Sequence, residues 1–317
     1  MLSLAALLLS TQLAASDVPY RETRLTYRNT VSALSLAPGA DLTYNPYYAV
    51  TMAMKLAWWF DDVWFVRGAV DLTRELTWPD DTTYANEIWV SDSVLTAGAA
   101  NFWTIPKAEI GLSADVEIVL PTSKASSSET MLLATGLNLG LDREFQVAEG
   151  LAVSYTFTPT KYWHRYTTSE IATPLIPDCA SSPAGCAAFL STGSRNVNFS
   201  LANDLSLDLT PVRWLVCSAS VGTITGFLYP LTPSPVELSY QTGIDTGMRF
   251  VNYYKLTAMF KPMPAIAILV GTDTVNPQLR PDSTYESFLF NRYTTLFASL
   301  RLDFAGLMQQ LHSGDRG

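Results

Sequence analysis

Few side chains in this sequence are of types that do chemistry. Two histidines and three cysteines are spread over 317 residues, too few to build a zinc or haem centre, so neither metal nor cofactor is expected. A histidine acts as a general base only with a nucleophile in hydrogen-bond reach. His164 is followed by Arg165 and Tyr166, with Thr167 and Thr168 beyond, so no serine stands two residues on. A histidine among aromatics at a strand end is the plainer reading, and His312 carries no signal. Carboxylates pair at Asp71 and Glu75, at Asp115 and Glu117, and at Asp204 and Asp208. Such pairs do acid–base work when burial splits their pKa values. Even spacing on a strand also places both on one face, where a wet interior accounts for them. No glycine-rich phosphate loop, HExxH or CxxC occurs, and no catalytic residue is assigned.

Cys179 and Cys186 bracket ASSPAG, in which Pro183 and Gly185 can turn the chain. In an oxidising compartment that spacing predicts a local disulfide. Cys217 is left over within a strand pattern and reads as a small apolar side chain.

The compartment follows from the N-terminus. Residues 4–9 (LAALLL) form a short apolar core and Ala14, Ala15 and Ser16 supply small residues for cleavage, so 1–16 reads as a secretory signal. Net charge is 20 − 29 = −9, which gives no basic excess for nucleic acid. Only 15% of residues are charged, against the ~25% usual for soluble domains, while 48% are apolar. Beyond the signal the longest wholly apolar run is 265–270, far short of the ~20 residues of a spanning helix. A charge-poor exported chain can still span a membrane as a closed β-barrel, which satisfies every backbone group internally.

The period along the chain is that of a barrel. Segment 47–59 sets Tyr48, Val50, Met52, Met54, Leu56 and Trp58 against Ala49, Thr51, Ala53, Lys55 and Ala57. Segments 108–120, 196–209 and 292–304 alternate as cleanly, the last with Leu296, Ala298, Leu300, Leu302 and Phe304 against Thr295, Ser299, Arg301 and Asp303. Weaker strands are expected over 63–77, 91–104, 131–143, 150–159, 213–228, 247–260 and 265–274. Their connections alternate short and long, the longest being 160–195. In outer-membrane barrels short turns face the periplasm and long loops face outward. Even strand number then calls for one more strand over 23–36. The expected fold is all-β, a transmembrane antiparallel up-and-down barrel of twelve strands with both termini periplasmic. All eight tryptophans fall near strand ends, where membrane interfaces favour them. The organisation is therefore a signal (1–16), a short lead (17–22), the barrel (23–304) and a tail (305–317).

The segment YTTLFASLRLDF ending at Phe304 resembles the closing strand of bacterial outer-membrane β-barrel proteins, and thirteen residues follow it. That resemblance implies recognition by the barrel-assembly machinery and a place among outer-membrane lipids. The hairpin 108–141, with Leu120-Pro121-Thr122-Ser123 opening an outward loop, is similar to transporter-type barrels of the phenol meta-pathway family. A porin-like channel or transporter for small-molecule solutes in the bacterial outer membrane is the reading it supports. Taking the more polar face of each strand as lumenal puts Lys55, Arg67, Asp71, Glu75, Glu109, Asp115 and Glu117 on the pore wall. Asp204, Asp208, Arg249, Lys255, Arg301 and Asp303 join them, as do Asp142 and Asp273. Carboxylates outnumber cations on these faces, so a narrow, cation-preferring pore is expected. A passive or adhesin-type barrel presenting 160–195 stays open, as does an outer-membrane hydrolase.

Overall fold

The computed structural model describes residues 18–36, 47–77, 86–171, 190–230, 247–278 and 290–314, together with 284, 285 and 287. The expected signal segment and the Cys179–Cys186 pair lie outside the described residues. The chain forms a closed twelve-stranded antiparallel barrel. It opens with β1 (Arg24–Ser32), β2 (Tyr48–Trp59) and β3 (Trp64–Glu75). The next strand is interrupted, with β4 (Ile88–Val90) and β5 (Ser93–Ile105) both pairing with β3. Then come β6 (Ile110–Leu120), β7 (Met131–Phe145) and β8 (Leu151–His164). A hairpin of β9 (Thr168–Ile171) and β10 (Leu190–Arg195) stands apart from the barrel sheet. The wall continues through β11 (Val197–Val212), β12 (Leu215–Leu228), β13 (Met248–Met263), β14 (Ile266–Pro277) and β15 (Thr295–Asp303). The first and last strands pair from Arg24↔Asp303 to Ser32↔Thr295, which closes the sheet and leaves no edge.

Alternation decides which side each residue faces. On β2, Met52, Met54, Leu56 and Trp58 are exposed on the outer face while Ala49 and Ala57 are buried. The same holds for Leu205 and Leu207 on β11 and for Leu300 and Leu302 on β15. A continuous apolar belt of this kind would drive association in water; it fits a hydrocarbon surround.

Several boundaries differ from the sequence-based expectation. The first strand stops at Ser32, and Ala33–Leu36 turns into a 3-10 helix whose Ala33 N–H donates to the Thr294 carbonyl (2.9 Å). Strand β8 runs on to His164. The loop 121–130 holds a short helix, α1 (Lys124–Ser128), with Ser123 as its cap. The expected tail is instead a helix, α2 (Phe304–Gly314), entered where the Gly306 N–H donates to Asp303 Oδ1 (3.1 Å). Its Phe304, Leu307, Met308 and Leu311 are exposed at the i, i+3, i+4, i+7 spacing of one helix face.

The lead is part of the structure as well. Residues 18–23 fold against the short-turn end of the barrel, where the Trp59 N–H donates to the Pro19 carbonyl (2.6 Å). Arg21 pairs with Asp62 (2.9 Å) and lies 4.0 Å over the Trp59 ring. Trp59, expected among the interfacial aromatics, is thereby buried.

Candidate functional site

The period-two rule that sends apolar side chains outward sends the intervening residues into the lumen. There a cavity of about 450 Å³ opens, within the ~300–1,000 Å³ typical of small-molecule sites. Six cations line it, Arg24, Arg28, Lys55, Arg67, Lys255 and Arg301, against four carboxylates, Asp71, Asp92, Glu117 and Asp273. The cations come from β1, β2, β3, β13 and β15, neighbours on both sides of the closing seam. Two strands on from β3 and from β13 respectively, β6 carries Asp115 and Glu117, the latter bordering the cavity, and β11 carries Asp204 and Asp208. The lumen is polarised across its width.

The two walls are settled differently. On the acidic wall neutral donors satisfy the carboxylates. Asn138 Nδ2 donates to Asp115 (2.6 Å), and its Oδ1 accepts from the Thr158 hydroxyl (2.6 Å). Asp204 accepts from Ser206 (2.7 Å) and from the Tyr253 hydroxyl (2.8 Å). On the basic wall Arg28 pairs with Asp273. Lys55 and Arg67 share Glu22, at 3.1 and 2.9 Å. Burial pushes the Glu22 carboxyl up, but Lys55 and Arg67 outweigh it and hold the group below its usual range. Among the described residues no ion pair reaches Arg24, Lys255 or Arg301. Arg301 offers Nη1 only to the Met259 sulfur (3.5 Å), and the Nε atoms of Arg28 and Arg301 are buried without an acceptor.

An aromatic ring completes the basic wall. Phe297 faces inward between Thr295 and Ser299, with the Arg28 guanidinium 4.0 Å and the Lys255 ammonium 5.5 Å from its ring centre. Directly opposite on β14 stands Gly271, where a Cβ would lie 2.7 Å from the ring and 2.1 Å from the Leu256 carbonyl. Only glycine leaves that space.

Of the residues expected on the pore wall, Lys55, Arg67, Asp71, Glu117, Lys255 and Arg301 border the cavity, and Asp115, Asp204 and Asp208 lie on the opposing wall. Glu75 sits at the long-loop end of its row and accepts from Thr77 (2.9 Å), and Asp303 lies at the short-turn end. One assignment is corrected. Glu109 is exposed in the turn before β6, not in the wall, because the left-handed residues Lys107 and Glu109 (φ 67 and 53) lengthen that turn to Ile110. Arg249 has lumenal parity but is exposed at the long-loop rim, donating to Ser194 (2.8 Å).

Sequence reasoning missed Arg24, Glu22 and Phe297, and set Arg28 on the polar face without counting it. Parity in TRLTYRNT would have found both arginines. The signal for Phe297 was its break in the polar row.

His164 is held structurally. Its Nδ1 lies 2.7 Å from the Glu129 carbonyl and its Nε2 3.1 Å from that of Val197, so no hydroxyl occupies either nitrogen. Next to it Asn196 is buried and ties the rim together. Its amide donates to the carbonyls of Glu129 (2.7 Å) and Tyr166 (2.9 Å). Among the described residues no group of His, Cys, Asp and Glu is placed to hold a metal ion.

No protein-family model and no curated protein matches the chain. Among solved structures it is similar to the COG4313 outer membrane channel from Pseudomonas putida F1, with a TM-score of 0.55 at 12% identity over 92% of this chain and 100% of that one. The KdgM porin solved with disordered oligogalacturonate aligns at a TM-score of 0.40 and 8% identity, covering 88% of this chain and 98% of that one. The fold is that of bacterial outer-membrane β-barrels.

Proposed function

We propose that the chain is an outer-membrane channel for small solutes, with its short turns and both termini in the periplasm. The observation that carries this reading is the charged cavity inside a closed barrel of intermediate girth. Eight strands leave a lumen filled by side chains and sixteen or more an open aqueous channel, so twelve suit a narrow passage. The similarity to a barrel described as a channel supports the same reading. Outer-membrane lipids surround the apolar belt, the assembly machinery inserts the chain, and Cys179 and Cys186 pair in the outward loop.

The finer reading is a preference for cations. Asp115, Asp204 and Asp208 are bonded to neutral groups only and keep their charge for the lumen, between walls that focus the field. Reconstitution in planar bilayers tests both levels. Steady conductance in KCl is expected, with a reversal potential in a salt gradient on the cation side. Anion preference removes the finer reading; absence of any current moves the protein to a passive barrel.

A further inference from the structure

We infer that the basic wall binds a small organic acid, whose carboxylate is held by Arg24, Lys255 and Arg301 and whose apolar body rests on Phe297 and Leu269. The inference rests on the channel reading and names the solute class that the channel would take.

Three observations converge. The first is uncommitted donors. Arg24, Lys255 and Arg301 border the cavity without an ion pair among the described residues, and buried Nε atoms of Arg28 and Arg301 lack acceptors. Carboxylates nearby are already engaged: Asp273 takes Arg28 and Thr295, and Asp303 takes the Gly306 N–H. Several cations gathered between low-dielectric walls repel one another, and an incoming anion relieves that repulsion while supplying the missing acceptors. Guanidinium groups in particular match a carboxylate with two parallel hydrogen bonds.

The second is apolar surface where a wet lumen calls for polar groups. Phe297 and Leu269 border the cavity, and with Ala267 and Met259 they form a buried apolar cluster. Inorganic anions gain nothing from that patch, whereas the body of an aromatic or aliphatic acid packs against the edges that Phe297 and Leu269 turn to the cavity. The third is size, because about 450 Å³ accommodates a solute of one ring.

The cation preference proposed above belongs to small ions moving along the acidic wall, and the acid docks on the opposite one.

The test uses the full-length protein in two formats, with benzoate, acetate and benzylamine as probes. In planar bilayers the KCl current is recorded first, then each probe is added. Benzoate is expected to interrupt the current in a concentration-dependent way, acetate to need higher concentrations, and benzylamine to do so least. Calorimetry on the detergent-solubilised barrel reads benzoate binding without requiring conduction. The double substitution Lys255→Gln, Arg301→Gln should weaken benzoate by about tenfold or more, as loss of charge-assisted bonds does. Phe297→Leu should weaken benzoate while leaving acetate alone, and it serves if the double variant does not fold. Equal action of benzoate and benzylamine, or unchanged benzoate affinity in a folded variant, overturns the site. A silent bilayer with benzoate still binding in detergent overturns the channel reading and leaves the site standing.

Discussion

Two aromatic rings in the lumen use one device to opposite ends. Tyr253 on β13 lies across Gly222 of β12 and reaches Asp204 on β11, and a Cβ at Gly222 would stand 2.3 Å from its hydroxyl. Phe297 on β15 lies across Gly271 of β14 in the same way. The register is equivalent, each glycine facing its ring directly. What differs is the polar handle. The tyrosine hydroxyl binds a carboxylate and completes the wall's own network, whereas phenylalanine has nothing to give, and Lys255 near its ring stays without an ion pair among the described residues. One wall has satisfied itself; the other waits for a solute.

Breaking the device should cost most. Gly222→Val or Gly271→Val drives a side chain into a strand carbonyl, 2.3 Å away at Asn203 and 2.1 Å at Leu256. A loss of about 3 kcal/mol or more is expected in either case, read as a fall in the denaturant midpoint or in folded yield. Next comes Tyr253→Phe, which makes the two rings alike. Asp204 keeps only Ser206 from its described pair of donors, and roughly 1.5–3 kcal/mol should be lost. If Tyr253→Phe is as stable as the parent, the acidic wall does not depend on its handle.

Selectivity sharpens the contrast from the other side. Asp115→Asn with Glu117→Gln should lower cation preference, and Lys255→Gln with Arg301→Gln should raise it. Reversal potentials moving the same way for both pairs would contradict a polarised lumen. The smallest effect concerns pH. A glutamate in an unfolded chain titrates near ~4.3. Glu22 sits lower in the folded protein, so its ion pair contributes stability above that value and loses it as pH falls through the folded one. Glu22→Gln frees Lys55 and Arg67 of their shared partner and should shift the pore toward anions at pH 7. The difference from the parent should close once pH falls through the lowered folded value, where the parent carboxyl is protonated too. A difference that persists there would mean that Glu22 acts through shape and not charge.

Much of this was legible because a strand's period is short and rigid. Met52, Met54, Leu56 and Trp58 announced the outer face of β2, and every lumenal neighbour followed. Phe297 was lost because reading for alternation passes over the one residue that interrupts it. Glu22 was lost because its role depends on a chain reversal at φ 71, which no periodicity records. The stripe of Phe304, Leu307, Met308 and Leu311 has helical spacing and could have been read; it was hidden by its continuity with the last strand. Asn196 was beyond reach, since its partners at Glu129 and Tyr166 meet it only through the folded rim.

The seam between β1 and β15 joins residues that stand at opposite ends of the chain, Arg24 beside Asp303. Asp115 with Asn138, by contrast, is assembled within one hairpin, from strands adjacent in sequence. Contacts of long sequence separation form late, because their loop-closure entropy is met only once the intervening chain is ordered. The acidic wall therefore exists in a half-built sheet, while Arg24, Arg28 and Arg301 come together only at the final zippering. Affinity for an acid solute is then a report of completion: a barrel stalled before closure carries its acidic wall and the β13–β15 part of the docking wall, and lacks the Arg24 that completes it.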